Sequence, residues 1–122
     1  MYLINDKEYK CAIDIAQDIF NDNWKLKILW HLLDGEKRYK ELNEEVCNIT
    51  QKTLTIKLRD LEAKHLIKRE SFPEIPPRVV YSLTPIGEKL RPILKNMFDW
   101  GIDYVNECGE FTDEGVCEPK FS

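Results

Sequence analysis

The stretch "ITQKTLTIKLRDLEAKHLIKRE", Ile49 to Glu70, decides how this chain folds. At about 100° per residue, Leu54, Leu58 and Leu61 fall on one stripe of a helix, while Lys52, Thr55, Ile56 and Arg59 fall on the other side. Thr50 suits the N-cap, because its hydroxyl can accept an otherwise unpaired N–H of the first turn. After "KHL" the apolar period changes from that of a helix to that of a strand. The leucines hold such a helix in a core and leave its polar, basic side free to touch something else.

Upstream, "RYKELNEEV" places Tyr39, Leu42 and Val46 on one stripe of a short helix, followed by a brief turn through Cys47, Asn48 and Ile49. Two helices joined so tightly, the second longer and basic, form the pattern of a helix-turn-helix. Further upstream, "WKLKILWHLLDG" is apolar on most sides at Trp24, Leu26, Ile28, Leu29, Trp30, Leu32 and Leu33. It reads as the central buried helix, capped by Asp22 or Asn23, stopped at Gly35, with Lys25 and Lys27 on a narrow wet face. A first helix runs over roughly Ile13 to Phe20, with Ile13, Ala16, Ile19 and Phe20 at helical spacing.

Downstream, "IKRESF" and "RVVYSL" alternate as strands about the proline-rich tip "PEIPP", with Val79, Tyr81 and Leu83 on one face, so a hairpin wing follows the basic helix directly. "TPIGEKLRPILKNMFDWGIDYV" then starts a helix at Thr84 and Pro85 and kinks it near Glu88 to Pro92. Its apolar residues form two stripes, Ile86, Leu90, Ile93, Met97, Trp100 and Tyr104 beside Leu94, Phe98 and Val105. One stripe suffices to pack on a small domain. The surplus predicts a homodimer built on this helix and the first one, with Ile13, Ile93, Met97, Trp100 and Tyr104 in the interface.

The sum is five helices and a hairpin: a mainly α fold, one winged helix-turn-helix domain over residues 1–122 with N- and C-terminal dimerisation helices, and a flexible acidic tail over 109–122. With 43% hydrophobic and 33% charged residues the composition is that of a soluble globular protein. No apolar run approaches the ~20 residues that span a bilayer, so no membrane partner is expected. The start "MYLINDKEYK" lacks the order of a signal peptide, which predicts a cytoplasmic protein. Its four cysteines, Cys11, Cys47, Cys108 and Cys117, are then expected as thiols at rest. None forms C-x-x-C, and Cys108 and Cys117 have no histidine nearby, so no metal site is expected. Neither a Gly-rich phosphate loop nor H-E-x-x-H nor G-x-S-x-G is present, which argues against an enzyme and against a cofactor. His31 in the central helix and His65 at a helix end read as structural.

The formal net charge of −4 conceals an asymmetry. Met1 to Ile49 carries 7 basic and 10 acidic residues, Thr50 to Val80 carries 7 and 4, and Tyr81 to Ser122 carries 4 and 8. Only the third containing the basic helix and the wing is positive, and local charge governs phosphate attraction once salt screens the rest.

Taken in order, Cys11, "WKLKILWHLLDGEKRYKELNEEV", "ITQKTLTIKLRDLEAKHLIKRE", "PEIPPRVVYSLTPIGEKL" and the late "DWG" resemble the HxlR-type winged-helix transcriptional regulators over roughly Cys11 to Gly101. The most specific parts are the Ile49–Glu62 helix and the proline-rich wing that ends in Leu83, Thr84 and Gly87. The resemblance implies a dimeric DNA-binding regulator, and Cys11 matches the N-terminal position of a thiol-sensing branch. Cys11 is followed by Ala12 where that family usually has proline, and "NDN" precedes Trp24 where glycines are common.

The free side of the helix therefore suits a DNA major groove. The candidates are Thr50, Gln51, Lys52, Thr53, Thr55 and Arg59 on the helix, with Arg78, Lys68 and Arg69 on the wing for backbone or minor groove. Gln51 suits adenine, Lys52 or Arg59 suits guanine or phosphate, and Thr55 suits a thymine methyl or a phosphate. A dimer would meet inverted or pseudo-palindromic half-sites on double-stranded DNA, about 34 Å apart. Cys11 would sense oxidants or thiol-reactive compounds, its thiolate favoured by Lys10, Lys7 and the helix start, with Cys47 or Cys108 as resolving partner. Two other classes fit the same residues: a winged-helix repressor responsive to a metal or small ligand, and a winged-helix module that binds protein.

Overall fold

The computed structural model describes residues 1–112, so the tail expected over 109–122 lies, from residue 113 onward, outside the described residues. The chain opens with a hairpin that the sequence reading did not anticipate, β1 (Tyr2–Ile4) against β2 (Lys7–Tyr9). Asn5 and Asp6 make its turn with φ of 47° and 66°, the paired left-handed conformation that matches strand twist and that these two residue types tolerate. The strands are only three residues each, too short for a periodic signal.

Helices α1 (Ala12–Phe20) and α2 (Asn23–Leu32) follow. Asp22 caps α2, its Oδ1 accepting from the backbone N–H of Trp24 at 3.0 Å and of Lys25 at 3.1 Å. Gly35 carries the chain away at φ 129°, a conformation that a side chain would strain. A two-residue strand β3 (Lys37–Arg38), also not anticipated, leads into α3 (Tyr39–Glu45), and α4 (Gln51–Ala63) completes the helical half.

The wing is β4 (Ile67–Phe72) paired antiparallel with β5 (Arg78–Leu83), and β3 pairs with the other edge of β5, making a three-stranded sheet in the order β3-β5-β4. Val80 of β5 is 4% exposed, beside Tyr81 at 8%. The expected C-terminal helix is broken rather than kinked, into α5 (Pro85–Glu88) and α6 (Arg91–Cys108), with Pro92 in the first turn of α6, where its missing N–H costs nothing. Thr84 joins wing to helix: its hydroxyl lies 2.6 Å from the His65 carbonyl and accepts from the Gly87 N–H at 3.1 Å. A Cβ on Gly87 would run into the Leu66 carbonyl, so only glycine fits there.

The core is one cluster. Ile28, Leu29, Leu32 and Leu33 of the α2 region meet Leu42, Val46 and Ile49, the leucine row Leu54, Leu58 and Leu61, and Ile67 and Tyr81 of the wing. Each such side chain contributes about 1.5–3 kcal/mol by leaving water. From α6 only Leu94 is fully buried among the described residues, with Trp30 stacked on Phe98 at 5.2 Å between ring centroids.

Lys25 departs from expectation most. Placed on a wet face by periodicity, it is 7% exposed, because α4 packs over that side of α2 and Asp60 supplies the countercharge. The Lys25 ammonium beside Asp60 is the main reason that this carboxyl titrates below the usual range. Asp60→Asn strands a buried ammonium and should cost about 1–3 kcal/mol in urea unfolding, whereas Lys25→Met keeps the aliphatic stem and should stay within about 1 kcal/mol of wild type. Equal losses would contradict this account of the pair.

His31 is buried at the end of α2, 3.7 Å from Glu45, its Nδ1 without a hydrogen bond. Lys37 on β3 reaches Glu45 at 3.0 Å and Asp34 at 3.2 Å beside it. Burial pushes the imidazole below its ordinary value of 6.5, and the Glu45 carboxylate only partly offsets this. The unfolded chain thus takes up a proton more readily, so stability is complete above pH 6.5 and falls as pH drops through the folded value. The unfolding midpoint should decline from pH 7 to pH 5, and His31→Leu should flatten that decline.

Candidate nucleic-acid interface

The helix-turn-helix is built from local signals. The Glu41 carboxylate accepts from the Arg38 N–H at 2.9 Å, closing the first turn of α3. Leu42, Val46 and Ile49 are buried, while Asn48 between them takes φ 67°, which lets the chain reverse within a few residues. The Asn43 amide reaches the Ile49 carbonyl at 3.4 Å, and the Thr50 hydroxyl accepts from the Thr53 N–H at 3.1 Å to start α4.

On α4 the inner row, Leu54, Leu58 and Leu61, is at most 1% exposed. On the outer side Gln51, Lys52, Ile56 and Arg59 are exposed, with Thr53 and Thr55 half-buried at its margin. The third cation of the helix, Lys57, faces inward and pairs with Asp22 at 2.6 Å. Burial acts to raise the Asp22 carboxyl, but the Lys57 ammonium and the Lys25 N–H outweigh it, and the group titrates low. Among the described residues the Gln51, Lys52 and Arg59 side chains engage no hydrogen bond or ion pair, and neither does exposed Arg69 on the wing.

Tyr39 was placed on the apolar stripe of its helix. Its ring does pack on the core, but its hydroxyl leaves the stripe and lies 2.9 Å from the Gln51 carbonyl and 2.9 Å from Thr55 Oγ1. The signal was available in the residue type, since a tyrosine on an apolar stripe carries a polar tip that needs a partner. Asp22 was one of two cap candidates, with Asn23, and its ion pair was not anticipated, because nothing local links it to Lys57, 35 residues away.

The register separates the wing candidates. Lys68, Glu70 and Phe72 pair with Ser82, Val80 and Arg78 on one face, whereas Arg69 pairs with Tyr81 on the other. Lys68 and Arg78 therefore share a side and Arg69 does not. Arg78 is already engaged, 2.7 Å from Glu74 and 4.1 Å over the Phe72 ring, and Lys68 lies 3.3 Å from Glu70.

Elsewhere, Ile13, Ile93, Met97, Trp100 and Tyr104 are each at least 44% exposed. Ile93, Met97 and Trp100 border one apolar groove along α6. Cys11 and Cys108 are exposed free thiols, Cys11 at the start of α1 and Cys108 at the end of α6, whereas Cys47, expected as a thiol and half-buried in the turn before α4, is instead disulfide-bonded. Lys7, expected to favour the Cys11 thiolate, is instead drawn 2.7 Å from Asp18, which also accepts from the Tyr9 hydroxyl. Cys117 lies outside the described residues.

A three-helix core with a basic reading helix and a hairpin behind it is a winged helix-turn-helix. The family model for the HxlR-like helix-turn-helix matches residues 19–108, and the chain belongs to that family. It is 43% identical over 110 residues to the uncharacterized HTH-type transcriptional regulator YdeP of Bacillus subtilis, covering 90% of this chain and 86% of YdeP. Among solved structures it is similar to the redox regulator HypR in its oxidized form, with 39% identity, a TM-score of 0.72, and 76% and 96% of the two chains covered. It is also similar to YodB of B. subtilis, with 32% identity, a TM-score of 0.72, and 84% and 100% coverage for the reduced form. The diamide-treated YodB gives 28% identity, a TM-score of 0.65, and 86% and 100% coverage. The chain is thus a DNA-binding transcriptional regulator of winged-helix type. No helix among the described residues is long and apolar enough to cross a membrane.

Proposed function

We propose that the chain is a cytoplasmic, sequence-specific DNA-binding regulator that acts as a homodimer and responds to oxidants or thiol-reactive compounds through Cys11. The observation that carries the DNA reading is the sorting of charge on α4: Lys57 is neutralised inward, and Lys52 and Arg59 stand exposed beside Gln51 without partners. Lys52 and Gln51 lie in the first turn, where a helix in a major groove meets base edges and where unbonded N–H groups favour phosphate. Thr50, Thr53 and Thr55 border that turn, and Lys68 with Arg78 offers the wing contact from one face.

The homodimer is supported by the exposed stripe Ile93, Met97, Trp100 and Tyr104, joined by Ile13 on α1, which is more apolar surface than a small soluble domain leaves uncovered. Two copies would bring two α4 helices to half-sites about 34 Å apart on inverted or pseudo-palindromic DNA. The redox reading is supported by the exposure of the Cys11 thiol and by likeness to proteins described as the redox regulator HypR and the diamide-treated YodB. Two thiols would join as a disulfide while the oxidant takes up both hydrogens. Cys108, exposed on the helix of the dimer stripe, is the second thiol to consider, because Cys47 is already disulfide-bonded.

The test is a salt titration of binding to duplexes carrying the chain's own upstream region, or to ones recovered from a randomised pool. The logarithm of affinity should fall with the logarithm of salt at about 0.9 per phosphate neutralised. Lys52→Ala should weaken binding and make that slope shallower by about 1, whereas Arg78→Ala, whose cation is already shared with Glu74, should change it less. Salt-indifferent binding would sink the DNA reading.

Diamide should shift the affinity of the wild type and leave Cys11→Ser unchanged. Equal shifts in both would take Cys11 out of the mechanism and leave the DNA reading intact.

A further inference from the structure

Tyr39, Gln51 and Thr55 meet at the margin of the DNA-reading face, and their hydrogen bonds leave little freedom in where protons go. The Gln51 backbone carbonyl can only accept, so the Tyr39 hydroxyl, 2.9 Å away, donates its single proton there. The second contact of the same hydroxyl, 2.9 Å to Thr55 Oγ1, then needs a proton from the other side, and Thr55 supplies its only one. Thr55 has no donor left. Phosphate oxygens, guanine N7 and O6, adenine N7 and thymine O4 all require a donor, so none of them can be bound through this hydroxyl. What Thr55 retains for an outside partner is acceptor capacity on its oxygen, which only the amino groups of adenine and cytosine could use, and its methyl group, on a side chain half-exposed one turn into α4.

We infer that Tyr39 acts as a positioning residue that takes the Thr55 donor out of use, so that this position of α4 meets the C5 methyl of a thymine in the major groove and not a phosphate. The assignment rests on the reading of α4 as the groove helix and decides between the two roles, thymine methyl and phosphate, that a threonine there can play. It also separates Thr55 from its neighbours: Lys52 and Arg59 supply charge, Gln51 supplies donors and acceptors, and Thr55 discriminates by shape. Tyr39 lies on the preceding helix, so it would set sequence preference through Thr55 without itself reading a base.

The experiment uses the full chain and a duplex recovered from a randomised pool by the wild type. Each thymine is replaced singly by deoxyuridine, which removes only the methyl. For the wild type one thymine in a half-site should stand out, its replacement weakening binding about fourfold, the worth of one buried methyl group. Thr55→Val, the same shape without the hydroxyl, should keep both the affinity and that sensitivity. Thr55→Ser, which keeps the hydroxyl and loses the methyl, should bind the thymine duplex about fourfold more weakly and no longer distinguish it from deoxyuridine. Tyr39→Phe frees the Thr55 proton and should reduce the discrimination at that position while the salt slope stays unchanged. Thermal melting of each variant confirms that it is folded before its affinity is compared.

Overturning results are equally plain. If Thr55→Val loses tenfold or more and its salt slope becomes shallower by about 1 while Thr55→Ser binds normally, the hydroxyl contacts phosphate and the inference is wrong. It is also wrong if no thymine methyl matters to the wild type. Either result leaves the DNA reading standing, whereas absence of salt-dependent binding by the wild type removes both together.

Discussion

Asp22 performs two tasks at one point of the chain, and the placement of the reading helix depends on both. One carboxylate oxygen caps α2, and the other binds Lys57 of α4 at 2.6 Å. A helical turn further along each helix the polarity reverses, with Lys25 of α2 binding Asp60 of α4. The two pairs flank the row Leu54, Leu58 and Leu61, which supplies the adhesive energy but little orientation, because apolar contact is nondirectional. Charged pairs at partly buried sites add the orientation, since sliding α4 along α2 would separate both at once and leave charges without solvent or partner. The position of α4 along α2 follows from this clamp.

The same accounting explains which cations remain for a partner. Lys25, Lys57, Lys64, Lys37 and Lys68 each have a carboxylate within 3.4 Å, as does Arg78. Lys52 and Arg59 do not, and both lie on the outer side of α4. A net charge of −4 is therefore compatible with binding a polyanion, because much of the positive charge is spent internally while Lys52 and Arg59 stand unspent together on the outer side of α4. The wing adds a second constraint. Its antiparallel register sends Lys68 and Arg78 to one face and Arg69 to the other, so a hairpin with three cations presents at most two to any one surface.

The ends of the chain are organised differently from its middle. The Asp18 carboxylate gathers Lys7 and Tyr9, fixing the N-terminal hairpin to α1 just before Cys11. That carboxyl is held below the usual range, first by Lys7 and then by the Tyr9 hydroxyl, and the Tyr9 hydroxyl is raised in return. At the other end α6 is anchored through Leu94 and the Trp30–Phe98 stack, and Trp100 and Tyr104, 5.2 Å apart, turn away from the core.

Much of the helical half was legible in the residues themselves. Periodic leucines located α4, Thr50 and Asp22 announced their caps, Thr84 with Pro85 announced α5, and the change from a helical to a strand period after Leu66 marked the wing. These are local effects, set by neighbours within about four residues, and they are written in sequence spacing. Gln51, Lys52 and Arg59 were legible for the same reason: a helix with one apolar stripe must turn its other side outward. Lys25, Tyr39 and the three-residue strands were not. Periodicity assigned Lys25 to a wet face because it cannot know which element packs there, and only the arrival of α4 covered it. It likewise assigned Tyr39 wholly to the core, because the acceptor for its hydroxyl lies 12 residues on, across a turn. The sequence alone determined which segments of the helical half are helices, where they start, and which stripe of each is apolar. Only the tertiary structure decided which charges and protons are already spent, because that depends on groups far apart in the chain coming within hydrogen-bond distance.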